Sequence, residues 1–145
     1  MEALIRLARL DDIAAIFAIR TGVVENHLSM AELEQMGITP AAIAEAIEAG
    51  PCAWVAEVSG VPVGFSMVDD EEACLFAAFV LPEYEGQGLG RCLIAAAEQQ
   101  LFQRHARIWL ETAADSRACA VYRRLGWQVV EQLAQGDVRL EKVRC

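Results

Sequence analysis

Three alternate glycines, Gly86, Gly88 and Gly90, lie between an apolar stretch and a run of residues at helical spacing. Glycine lets the backbone bend tightly and approach a ligand with no Cβ in the way. Before them, Phe79, Val80 and Leu81 are apolar and β-favouring, and Pro82 ends the ladder because it has no N–H to donate. After them, Leu89, Leu93, Ala97 and Leu101 recur every four residues, with Ile94 and Phe102 beside them, which predicts a helix. A helix start carries free N–H groups and the positive end of the macrodipole, so this turn suits an anion, phosphate above all. A ligand-free strand-to-helix turn could use the same glycines; it is the strand–glycine–helix context that favours an anion. A P-loop would need Gly-Lys-Ser/Thr, which does not follow. The dinucleotide fingerprint would need a βαβ unit, whereas the strands before this turn read as hairpins.

Metal and thiol chemistry find less support. Cys52, Cys74, Cys92, Cys119 and Cys145 are odd in number and scattered, no C-x-x-C occurs, and the only histidines are His27 and His105. Neither a metal site nor a disulfide framework is expected. Cys74, Cys92 and Cys119 fall within apolar patterns and read as core thiols of a reducing cytoplasm.

The elements that must position the turn follow from the local patterns. Ala3–Leu7 reads as a first strand, and Asp11 and Asp12 offer a cap to a helix with Ile13, Ile16 and Phe17 on its apolar face. The segment from Thr21 to Met36 is polar and irregular at first. Thr39-Pro40 is a cap followed by a first-turn proline, Ile43 and Ile47 mark one helix face, and Gly50-Pro51 stops it. From Cys52 the period shifts: CAWVAEV, a turn at Ser59-Gly60 and VPVGFSMV predict a hairpin. Ala73–Leu81 is the next strand, the glycine turn and its helix follow, and Arg107–Thr112 is a strand. Ala118, Val121, Tyr122 and Leu125 have helical spacing, Gly126 ends that helix, and Trp127–Leu133 with Val138–Val143 form a last hairpin. The order is β-α-α-β-β-β-α-β-α-β-β. Its 145 residues, 55% hydrophobic, suffice for a sizeable core and predict a single mixed α/β domain over residues 1–145. A net charge of −9 argues against nonspecific nucleic-acid binding and weakly favours a cationic substrate, although acidity serves solubility alone in many proteins. No apolar run is long enough to span a membrane, and the N-terminus lacks an apolar signal segment, so a cytoplasmic protein is expected.

The segment P-E-Y-E-G-Q-G-L-G-R with its apolar helix resembles the acyl-CoA-binding turn of the GCN5-related N-acetyltransferases (GNAT). The family pattern Gln/Arg-x-x-Gly-x-Gly/Ala maps onto Glu85, Gly88 and Gly90. Downstream, D-S-R-A-C-A-V-Y-R-R-L-G-W (Asp115–Trp127) resembles the family segment Asn-x-x-Ala-x-x-x-Tyr-x-x-x-Gly-Phe. The two motifs stand in the family's order.

The resemblance implies a mostly antiparallel sheet of about seven strands, splayed at the fourth and fifth, with helices on both faces. It implies acetyl-CoA as cosubstrate, its pantetheine arm pairing with backbone at Phe79, Val80 and Leu81. The diphosphate would rest on amides of Glu85, Gly86, Gln87, Gly88, Leu89, Gly90 and Arg91. Arg91 is a phosphate ligand or a solvated surface arginine. Glu85 and Asp115 depart from the family's Gln/Arg and Asn; Asp115 still suits a helix cap. Tyr122 maps onto the general acid that protonates the coenzyme A thiolate, and a neutral phenol is the form needed at pH 7. An N–H near Val80 could polarise the thioester carbonyl. The base is open: Ala77 and Ala78 stand where relatives carry an acid, and Glu71, Glu72, Glu111, Glu25 and His27 are candidates. Glu25, Asn26, His27, Glu111 and Ser29 are candidates for the acceptor site, shaped by Val23–Met36 and the hairpin around Leu133–Asp137.

The expected function is transfer of an acetyl group from acetyl-CoA to a primary amine of a small molecule, by direct attack in a ternary complex. The alternatives are an acyl-CoA-binding regulatory module with little or no catalysis, and a protein or peptide N-acetyltransferase. No nucleic-acid or membrane partner is expected, and a homodimer is left open.

Overall fold

The computed structural model describes residues 3–23 and 28–144. Seven strands form one sheet: β1 (Ala3–Leu7), β2 (Ala53–Val58), β3 (Val61–Asp69), β4 (Cys74–Val80), β5 (Arg107–Ala113), β6 (Gln128–Gln132) and β7 (Asp137–Val143). Their spatial order is β1-β2-β3-β4-β5-β7-β6. Every neighbouring pair is antiparallel except β4 and β5, which are parallel. The helices are α1 (Ile13–Gly22), α2 (Met30–Gln35), α3 (Pro40–Ala49), α4 (Leu89–Phe102) and α5 (Arg117–Arg124). The expected mixed α/β fold is present, with one addition. Helix α2 lies in the segment read as irregular, and Ser29 starts it with a capping box. The Ser29 hydroxyl accepts from the Glu32 amide at 3.1 Å, and the Glu32 carboxylate accepts from the Ser29 amide at 3.0 Å.

Two cores lie on opposite faces of the sheet. On one, α4 buries Leu89, Leu93, Ile94, Ala97 and Leu101, its four-residue stripe, against strand residues such as Val68, Leu75 and Ile108. The Ser66 hydroxyl ties strand to helix by donating to the Leu93 carbonyl at 2.9 Å. On the other face, Ile16, Phe17 and Ile19 of α1, Leu33 of α2 and Ile43 of α3 pack on Phe65, Met67 and Ala77. Strand side chains alternate between faces, so consecutive residues of β4 serve different cores.

Two irregularities in β4 prepare the site. Met67 pairs with Ala77 and Val68 with Leu75, which leaves Phe76 as an extra residue and bulges the strand. Toward β5 the ladder holds only the pair Cys74 and Trp109, whereas β5 pairs with β7 along all of Arg107–Ala113. The sheet is therefore open between β4 and β5 beyond its first contact.

Candidate active site

A cleft of about 530 Å³ occupies that opening, within the ~300–1,000 Å³ usual for small-molecule sites. Its walls are the end of β4, the glycine turn with the start of α4, and one face of α5.

The backbone of β4 determines what the opening offers. The Leu81 amide donates to the Val63 carbonyl at 2.8 Å, so Val63 and Leu81 form a hydrogen-bonded pair of the β3–β4 ladder. Such pairs alternate with pairs whose N–H and C=O groups point away from the partner strand. Phe79, two residues back, also faces β3, and Val80 and Ala78 turn their backbone groups into the cleft. Of the three positions expected to meet a pantetheine arm, only Val80 has free backbone groups there. Phe79 lines the cleft, while Leu81 does not.

Beyond Pro82–Tyr84, a single 3-10 turn, the chain reaches Gly86 and Gly88 at φ of +81° and +83°. This is the left-handed region in which a side chain is strained. Gly88 is the N-cap of α4 and has no side chain with which to cap it. The first bond into this turn is from the Cys92 amide to the Gly88 carbonyl at 3.2 Å. The amides of Leu89, Gly90 and Arg91 are thus the orphan donors of a helix start. The Glu85 amide is already engaged by the Pro82 carbonyl at 3.3 Å. The donor cluster accordingly begins after Glu85.

Glu85 turns its carboxylate outward, 3.3 Å from the Arg117 guanidinium on α5. Both side chains are well exposed, so the pair contributes ~0–1 kcal/mol. Arg91, Arg117 and Arg124 line the cleft against Glu85, the single carboxylate among its described lining residues. A chain of net charge −9 has gathered cations at this one concavity, which favours an anionic ligand there.

Helix α5 is capped by Ser116, not by Asp115. The buried Ser116 hydroxyl accepts from the Cys119 amide at 3.0 Å and donates to the Ala113 carbonyl at 2.8 Å. Asp115 is exposed and outside the cleft lining. Tyr122, on the inward face of α5, is buried and lines the cleft. Its ring meets Trp127 edge-on, 5.7 Å between centroids at 65°. Burial, and then the charges of Glu98 and Cys74, push the phenol pKa well above the ordinary tyrosine value, so the hydroxyl is protonated at neutral pH.

The remaining candidates scatter. Glu111 is exposed on β5, opposite Arg139 of β7, and does not line the cleft. Gln87 is exposed and outside the lining as well. Glu71 and Glu72 sit in the exposed turn before β4. The Ser29 hydroxyl is committed to its helix cap. Residues 133–137 line neither this cleft nor the smaller cavity on the far side of β4. Glu25, Asn26 and His27 lie outside the described residues. Among the described residues no cluster of three or more His, Cys, Asp or Glu is placed to hold a metal ion. Nor is any described helix long and apolar enough to cross a membrane. Sequence reasoning missed Arg117, Val121 and Arg124. They recur at i, i+4 and i+7, beside the parallel series Ala118, Tyr122 and Leu125, which lines the cleft as well.

The model of the acetyltransferase (GNAT) family matches residues 10–127. Among curated proteins none matches the sequence. Among solved structures, the PaiA N-acetyltransferase of Thermoplasma acidophilum, in complex with coenzyme A, is similar at 18% identity and a TM-score of 0.77, over 99% of this chain and 100% of that one. The yncA structure from Salmonella typhimurium, with its cofactor acetyl-CoA, is similar at 20% identity and a TM-score of 0.73, over 99% and 94%. A ribosomal-protein-alanine N-acetyltransferase from Brucella melitensis follows at 23% and 0.72, over 97% and 99%.

Proposed function

Because the chain belongs to the GNAT acetyltransferase family, we propose that it moves the acetyl group of acetyl-CoA to a primary amine of a small molecule, by direct attack in a ternary complex. The observation that carries this reading is the cleft between β4 and β5, with orphan amides at one end and Tyr122 at the other. The amides of Gly86–Arg91 receive the diphosphate, helped by the macrodipole of α4 and by Arg91. The outward N–H and C=O of Val80 pair with the amide-bearing arm, as a strand edge takes an extended ligand.

In the reaction, the nitrogen lone pair forms the C–N bond at the acetyl carbonyl carbon. The C–S bond then breaks, and its electron pair stays on sulfur. Tyr122 supplies the proton that makes the leaving group a neutral thiol. The nitrogen releases its own proton to solvent, which also returns one to the phenol. A phenol whose pKa is raised by burial stays protonated through the alkaline range, so Tyr122 itself brings no fall in rate below pH ~10. Four cysteines among the described residues carry free thiols, which supports a reducing, cytoplasmic setting.

The test is thiol release from acetyl-CoA across amino acids, polyamines, aminoglycosides and peptides, followed by Tyr122→Phe with the best acceptor. The variant is expected to lose ~10²–10⁴ in kcat at pH 7 while calorimetric affinity for coenzyme A is kept. An unchanged kcat removes Tyr122 from the acid role. Cofactor binding with no thiol release from any amine would instead make the chain an acyl-CoA-binding module.

A further inference from the structure

A second cavity, of about 140 Å³, lies on the opposite face of β4. Ile16 and Arg20 of α1, Met36 after α2, and Met67, Ala77 and Phe79 of the sheet are among its walls. Phe79 lines both cavities, so the two spaces are separated by the width of one strand. The bulge at Phe76 shapes the same stretch of β4.

The chamber's chemistry is one-sided. Every described residue lining it is apolar except Arg20. The Arg20 guanidinium lies 4.2 Å from the centre of the Phe79 ring. No carboxylate is present in the described lining to receive an ammonium. An ammonium entering against this described lining would shed its hydration onto apolar side chains. By volume the space matches apolar protein cavities of ~150 Å³ that hold one benzene ring.

Resting on the acetyl-transfer reading, we propose that this chamber seats a compact apolar group of the acceptor, an aryl or branched alkyl group joined by a short link to the reacting amine. Polyamines and aminoglycosides are then poor acceptors, although the overall charge of the chain would attract them. The local lining overrides the global field because selection happens after encounter, at van der Waals distance.

Phenethylamine and spermidine provide the test. Each is assayed as an acceptor by thiol release and as a ligand of the coenzyme A-loaded protein by ligand-observed NMR. Ala77→Phe fills the chamber from the strand, and Met36→Glu adds a carboxylate at its exposed rim without disturbing packing. Phenethylamine is expected to exceed spermidine by ~10-fold or more in kcat/KM, and each variant to erase most of that margin while coenzyme A affinity holds. Should Ala77→Phe fail to bind coenzyme A, Met36→Glu carries the comparison. Spermidine equal to or better than phenethylamine, or a phenethylamine preference untouched by either variant, overturns the proposal. Phenethylamine binding that the variants abolish, with no thiol released, supports the chamber and counts against acetyl transfer instead.

Discussion

The Tyr122 hydroxyl has no hydrogen-bond partner among the described residues, although its ring is packed against Trp127. Among the described residues only the Asp70 Oδ1 is a buried polar atom left without a partner, so the phenol oxygen is open to the cleft, where a ligand can bond it. Glu85 poses the opposite problem, a carboxylate beside the proposed diphosphate seat. Its pairing with Arg117 holds it outward and also ties up a cation that could serve the ligand. Glu85→Gln removes both effects. At ~1 kcal/mol for a screened like-charge contact, coenzyme A should bind about fivefold tighter, read by calorimetry. Weaker binding would mean that the carboxylate takes part in the site. The Glu85 departure was legible in the sequence; its partner was not, because Arg117 arrives from another helix. Which of Asp115 and Ser116 caps α5 was equally hidden, since both residue types cap well and only geometry selects one.

At the scale of elements, the site is what remains when β4 and β5 part. Helix α4 was legible because its buried stripe repeats every four residues, and its start was legible because Gly88 sits at the left-handed position that opens it. Gly88→Ala meets no atom within 4 Å, so its cost is conformational, ~1–2 kcal/mol for an L residue held at positive φ. That strain is relieved by turning the following amides, and coenzyme A affinity should fall together with thermal stability. A variant that loses stability but keeps full affinity would show that the amides do not grip the ligand. Helix α2 carried a readable signal, the Ser29…Glu32 spacing of a capping box, in a stretch whose polarity obscured it. The chamber behind β4 had no local signal at all, because its walls come from three helices and two strands distant in sequence.

The whole molecule is a sheet with a core on each face, fastened at its edge by a charged cluster. Arg6 of β1 bonds Asp12 through two nitrogens at 2.8 and 2.9 Å and Glu57 of β2 at 2.6 Å. Asp12 is buried and also accepts from the Arg9 amide at 2.7 Å. The hydrogen bonds from Arg6 lead in holding the Asp12 carboxyl below its ordinary value. Its stabilisation is therefore present above the unfolded pKa of ~4 and is lost as pH falls through the lower, folded value. Asp12→Ala should cost ~1–3 kcal/mol at pH 7 by denaturant unfolding, and the gap from the parent should narrow in acid. A gap that widens in acid would contradict the sign. The order of strands and helices was readable along the chain, because each period is local. The gathering of arginines at one cleft on an acidic protein was not, since net charge says nothing about where charges meet.

The most direct measurement is a crystal structure with coenzyme A. The account predicts diphosphate oxygens at ~2.7–3.2 Å from amides after Glu85, the arm beside Val80, and the sulfur within reach of the Tyr122 hydroxyl. Coenzyme A bound elsewhere, or a Tyr122 hydroxyl turned away from the sulfur with another residue in its place, would contradict it.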